Sequence, residues 1–149
     1  MKILVLYDSV YGNTGKIAKT VAEPLISGNN LLTLHVGEVK PEHMEGLDVL
    51  ILGSPTQKFS PIKPVIEFIA GIPSGGLKGI KVAAFDTRIS PDDIKSSFLR
   101  FMVKFFGFAA GPVLKKLEAK GGKRILPAEG FIVMGTQGPI KEGETERAE

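Results

Sequence analysis

Ser9, Gly12, Asn13 and Thr14 stand close together in the stretch Ser9-Val10-Tyr11-Gly12-Asn13-Thr14, directly after an aliphatic run. Hydroxyls and a side-chain amide are hydrogen-bond donors, and a glycine lets the backbone turn its N–H groups toward a ligand. The chemistry that suits such a set is capture of an anion. No lysine or arginine lies within the stretch, and Lys16 comes after it. A phosphate bound here would be held by amides and hydroxyls, with little formal charge. The same residues also fit an ordinary strand-to-helix turn, with Asn13 as N-cap and Gly12 as turn residue. The loop alone leaves both readings open.

Positioning falls to the segments on either side. Residues 2–7 are apolar at nearly every place, as in a parallel strand covered on both faces. After the loop, Ile17, Val21 and Leu25 recur every fourth residue with Ala18 and Ala22 beside them, which predicts a helix from near Asn13. Pro24 should end or kink it around Glu23. A buried strand thus feeds a tight turn into a helix N-terminus, where N–H groups and the helix dipole converge.

Further polar clusters follow later strands. Residues 48–53 form a third strand, and Ser54-Pro55-Thr56-Gln57-Lys58-Phe59-Ser60 is expected as a loop beyond its carboxyl end. Residues 80–85 form a fourth strand, and Asp86-Thr87-Arg88-Ile89 is expected as a loop on the same edge. Ligands of open parallel sheets bind at that edge. The bland alternative is that Pro and Gly merely shape these loops and Phe59 is a core-edge aromatic.

The remaining chain supplies framework. Residues 32–36 alternate apolar and polar, which predicts a half-exposed edge strand with His35 on its polar face, solvated or lightly packed and without a catalytic partner. His43 falls in a short turn at 41–44, without metal-ligand spacing around it. A helix is expected over 62–70. Ser90-Pro91-Asp92-Asp93 reads as a helix start, followed by a stripe of Ile94, Phe98, Phe101 and Phe105 or Met102 that is expected in the core. Phe106 and Phe108 fall off that stripe and are expected in core or local packing, with a partner surface as the alternative. A second helical piece runs from Gly111 to about Lys120. Residues 123–126 and 130–134 read as an interrupted fifth strand around Pro127, and a short helix opens at Glu144.

Composition narrows the function classes. With 149 residues, 43% hydrophobic and 23% charged, the chain is expected to be one globular domain over 1–149. The absence of cysteine removes disulfides, thiolate metal sites, iron–sulfur clusters and cysteine nucleophiles, and fits a reducing, cytoplasmic setting. A net charge of +3 spread along the chain argues against nucleic-acid binding. The strand begins at once after Met1, so no signal peptide is expected, and no apolar run is long enough for a membrane span. A phosphorylation-receiver role needs an acid after the third strand, where Gly53-Ser54-Pro55 offers none. Alternating strands and helices predict an α/β fold with a parallel sheet between helices. With the second strand at the edge, the flavodoxin-like order 2-1-3-4-5 over five strands follows, and the switch point lies between the first and third strands.

Val5-Leu6-Tyr7, Ser9, Gly12, Thr14, Ala18 and Val21 stand at the spacings of the phosphate-loop signature of flavodoxins, and the chain resembles that family. Gly53-Ser54-Pro55-Thr56 is similar to the family's second flavin loop, and Gly138-Pro139-Ile140 through Ala148 to the tail of stand-alone prokaryotic members. The resemblance implies non-covalent FMN, with the phosphate on Ser9, Val10, Tyr11, Gly12, Asn13 and Thr14. It implies an isoalloxazine between Pro55-Thr56-Gln57-Lys58-Phe59 and Asp86-Thr87-Arg88, with Lys58 or Arg88 favouring an anionic reduced ring and Asp86 opposing it. The implied activity is electron transfer with a redox partner protein or a small-molecule acceptor. The alternatives are an FMN-dependent NAD(P)H or quinone reductase and a non-redox binding module, and a homo-oligomer stays open. The chain departs from the family in three ways: Tyr11 stands where a hydroxyl residue is common, there is no tryptophan, and the charge balance is basic.

Overall fold

In chain order the elements are β1 (Lys2–Tyr7), α1 (Asn13–Ala22), β2 (Asn30–His35), α2 (Pro41–Met44), β3 (Val49–Gln57), β4 (Ser60–Pro61), α3 (Lys63–Ala70), β5 (Lys81–Ile89), α4 (Ala110–Ala119), β6 (Lys123–Arg124), β7 (Glu129–Val133) and α5 (Glu144–Ala148). They come from a computed structural model that describes residues 1–57, 60–90, 97–98, 107–135 and 138–149.

The sheet runs β2-β1-β3-β5-β6, with β7 also pairing with β5. Every pairing along that path is parallel. β6 and β7 lie on the same side of β5, at Lys81–Val82 and Phe85–Ile89, so they are two parts of one interrupted edge. Counted that way, the order is the expected 2-1-3-4-5. The short β4 is an addition that turns back antiparallel on the end of β3.

The strands are apolar at consecutive places because both faces are covered. Leu4, Leu6, Leu50, Leu52, Val82 and Ala84 pack with Val65 and Ile69 of α3 and Val113, Leu114 and Leu117 of α4. Ile3, Val5, Val49, Ile51, Ala83 and Phe85 pack on the other face with Ile17, Ala18 and Ala22 of α1. β2 is an edge, and its Leu32 is 40% exposed. α1 stops at Ala22, and Pro24 sits in the 3₁₀ turn that follows, where its missing N–H is tolerated.

Three expectations need correction. Ser54-Pro55-Thr56-Gln57 is strand, not loop, as is Asp86-Thr87-Arg88-Ile89. Ser54 and Pro55 pair with Asp86 and Thr87, and Asp86 to Ile89 pair with Gly130 to Val133. Backbone groups that would otherwise need water are satisfied by adjacent strands, which overrides a polar composition. Phe98, expected in the core, is 67% exposed. Lys58, Phe59, Pro91-Asp92-Asp93, Ile94, Phe101, Met102, Phe105 and Phe106 lie outside the described residues.

Candidate functional site

The candidate site starts at the turn between β1 and α1. Gly12 is the N-cap of α1 with φ 90, a left-handed conformation that glycine adopts without strain. The first intrahelical bond runs from Lys16 N–H to Gly12 C=O. The first turn of a helix has no intrahelical carbonyl for its leading N–H groups, and here it carries no acidic residue. Ser9 Oγ accepts from Gly12 N–H at 2.9 Å, which folds the loop on itself and leaves the Ser9 hydroxyl proton to donate elsewhere. Thr14 and Thr87 share a hydrogen bond between their hydroxyls at 2.8 Å. That bond uses one of the two hydroxyl protons and keeps the other as a donor. Such a surplus of uncharged donors suits an acceptor-only phosphate, so the residues present fit a nucleotide's terminal phosphate.

The loop opens into a cavity of about 350 Å³. Ser9, Val10, Tyr11, Asn13 and Thr14 form one side of it. Pro55, Thr56 and Gln57 at the end of β3, and Thr87 and Arg88 at the end of β5, form the others. Segments far apart in sequence thus meet at the carboxyl edge of the sheet, between β1 and β3, where the strand order reverses. Val10 and Tyr11 are 48% and 49% exposed, so they form a rim. The lining also takes in Ile89, at the end of the segment expected on that edge, and Val133 and Gly135, which sequence reasoning missed. Gly138, with φ 98, lies against the Asn13 side chain: a Cβ there would stand 2.5 Å from Asn13 Nδ2. The resemblance of the tail to the family was the only signal for that approach.

Asp86 is not among the cavity-lining residues. It is fully buried, and its carboxylate accepts from Arg88 Nε and one terminal Arg88 nitrogen, each at 2.6 Å, and from Ala110 N–H at 2.8 Å. Burial pushes the Asp86 carboxyl above its ordinary value of 3.8, against the pull of Arg88 and the Ala110 amide. Arg88 stacks on the Phe108 ring at 3.9 Å and fills the space a side chain at Gly130 would need. Alternation along β5 explains this: Asp86 and Arg88 share the α4 face, while Thr87 faces α1. The expected opposition of these two charges around a ring is therefore corrected. They neutralise each other and dock α4 on the sheet.

His35 is partly exposed, in keeping with a lightly packed side chain, and it has a carboxylate neighbour that the sequence did not reveal. Its Nε2 lies 2.7 Å from Asp8 Oδ1, and its Nδ1 accepts from Gly37 N–H at 3.0 Å. His43 Nδ1 accepts from Lys40 N–H at 2.9 Å, a capping contact at α2. Among the described residues no cluster of His, Cys, Asp or Glu could hold a metal ion. No described helix is long and apolar enough to cross a membrane.

No family model matches the chain. A curated flavodoxin from Aquifex aeolicus (strain VF5) is 42% identical over 57 residues, which are 37% of this chain and 31% of that protein. The matched stretch therefore spans about a third of that relative's length. Among solved structures, a flavodoxin from the domain Archaea superposes with a TM-score of 0.77 at 18% identity, over 99% of this chain and 91% of that one. Oxidised flavodoxin 2 from Bacillus cereus gives 0.73 at 21% identity, over 99% and 92%. The flavodiiron protein from Giardia intestinalis gives 0.69 at 16% identity, over 98% of this chain but 33% of that one. At such identities the superpositions speak for the fold. Sequence match and superpositions agree on a flavodoxin-like fold.

Proposed function

We propose that this chain binds FMN non-covalently and works in electron transfer. The observation that carries the reading is the single cavity in which the donor-rich turn at Ser9–Thr14 meets the ends of β3 and β5. The Ser9 and Thr14 hydroxyls and the start of α1 at Asn13 would hold the phosphate, with Gly12 shaping the turn and the exposed Val10 and Tyr11 at its rim. The isoalloxazine would lie toward Pro55, Thr56 and Gln57 on one side and Thr87 and Arg88 on the other, with Lys58 and Phe59 next along the chain. When bound, FMN supplies one- and two-electron chemistry, and the protein sets its position and its electrostatic surroundings. Arg88 would act here as part of the wall more than as a free charge, since its guanidinium is held by Asp86. FMN is favoured over FAD because the phosphate end meets a closed helix N-terminus. The named solved relatives are flavodoxins and a flavodiiron protein, which supports a redox role with a partner protein.

Purified chain, or apoprotein titrated with FMN, is expected to show flavin absorbance at about one FMN per chain. A colourless protein that takes up no added FMN would overturn the reading. Turnover of NAD(P)H with a quinone would reassign the same site to a reductase. β5 contributes Thr87, Arg88 and Ile89 to the cavity wall and no aromatic ring, a composition that favours testing that activity.

A further inference from the structure

The edge strand reaches the anion-binding turn through contacts that the reading above does not use. Asp8 lies between β1 and the turn and is 8% exposed. Its Oδ1 accepts from Ser9 N–H at 2.6 Å and meets His35 Nε2 at 2.7 Å. The direction of the second bond is decided on the far side of the ring. Gly37 N–H points at His35 Nδ1, so Nδ1 is the acceptor and the ring proton sits on Nε2, which donates to Asp8. The contact is therefore a neutral imidazole donating to a carboxylate. The same ring packs edge-on against Tyr7, with centroids 5.8 Å apart, and Tyr7 in turn lies against Gly15 of α1, where a Cβ would come within 3.0 Å of it. One partly exposed histidine at the end of β2 thus touches both the polar and the apolar supports of the turn.

We propose that His35 is a positioning residue for phosphate binding at the Ser9–Thr14 turn. By donating to Asp8 it keeps the carboxylate turned toward β2 and seated on Ser9 N–H. The Ser9 hydroxyl proton is then left to face the anion. This inference rests on the FMN reading above. A carboxylate one residue from an anion site opposes a dianion unless it is held and partly compensated by a donor. Removing the donor frees Asp8 to rotate about its side chain and loosens its hold on Ser9.

The test compares FMN with riboflavin, which shares the ring and lacks the phosphate. His35→Ala is expected to raise the Kd for FMN roughly 10-fold, the scale of a lost charge-assisted hydrogen bond. The Kd for riboflavin is expected to stay within about twofold. His35→Gln places an amide donor near the position of Nε2 and should recover most of the FMN affinity. In an Asp8→Ala background, His35→Ala should have no further effect beyond about twofold, since the two residues act as one unit. Equal loss for FMN and riboflavin, failure of His35→Gln to recover, an undiminished loss in the Asp8→Ala background, or no change in FMN affinity would each overturn the inference while the FMN reading stands. A wild-type chain that binds neither flavin would overturn both.

Discussion

At the scale of single residues, the turn keeps its shape because Gly12 can hold φ 90, and its hydroxyls have protons to spare. An alanine at Gly12 would meet nothing within 4 Å, so its cost is conformational rather than steric. Gly12→Ala is expected to destabilise the folded chain by about 1 kcal/mol, read as a lower urea midpoint at unchanged slope. Gly53 presents the opposite case. Its Cβ would fall 2.2 Å from Cζ of the buried Phe85, so glycine is required there by close packing rather than by dihedral angle. Asp86 shows why residue type alone misleads. A carboxylate at the carboxyl end of a parallel strand reads as a ligand-facing charge, yet here it is a buried bracket between Arg88 and the head of α4.

At the scale of elements, α5 is tied down by side chains more than by area. Arg147 donates to Glu129, to the Gly130 carbonyl and to Glu144, and lies over the Phe131 ring at 4.6 Å. Glu144 also accepts from Ile132 N–H at 2.7 Å, which joins the start of α5 to β7. The Arg147 hydrogen bond, with help from that amide, holds the Glu144 carboxyl below its ordinary value of 4.5. A carboxyl depressed by folding contributes stability that is complete above its unfolded value and is lost as the pH falls through its folded one. Urea midpoints measured from about pH 6 down to about pH 3 should therefore fall less steeply in Glu144→Gln than in the natural chain, with the two curves drawing together below about pH 4.5. Parallel slopes across that range would show that this contact carries no acid sensitivity.

At the scale of the whole molecule, the cavity joins the turn before α1, the ends of β3 and β5, and the end of β7 with Gly135 beyond it. Those segments lie far apart along the chain, between Ser9 and Gly135, so a ligand that fills the cavity ties them together. FMN at 100 times its Kd is expected to stabilise the fold by about 2.7 kcal/mol, seen as a melting temperature that climbs with FMN concentration. Riboflavin should raise it less at equal concentration, because it leaves the donor-rich turn unfilled. A melting temperature indifferent to FMN would argue against occupancy of this cavity.

Much of this architecture could be read from local pattern. Continuous apolar runs at 2–7 and 48–53, the helical spacing of Ile17 and Ala18, and the breaks at Pro24 and Gly71 each depend on neighbours in the chain, so the sheet order and the first turn followed from them. Hydrophobic periodicity reports which face of an element is covered, and it does so within a few residues. The polar positions were decided elsewhere. Ser54–Gln57 and Asp86–Ile89 became strand because other strands lay beside them to take their hydrogen bonds. Asp8 found His35 across 27 positions of sequence, and Thr14 found Thr87 across 73. A polar group takes its role from the partner that satisfies it, and tertiary structure alone brings together partners so far apart along the chain.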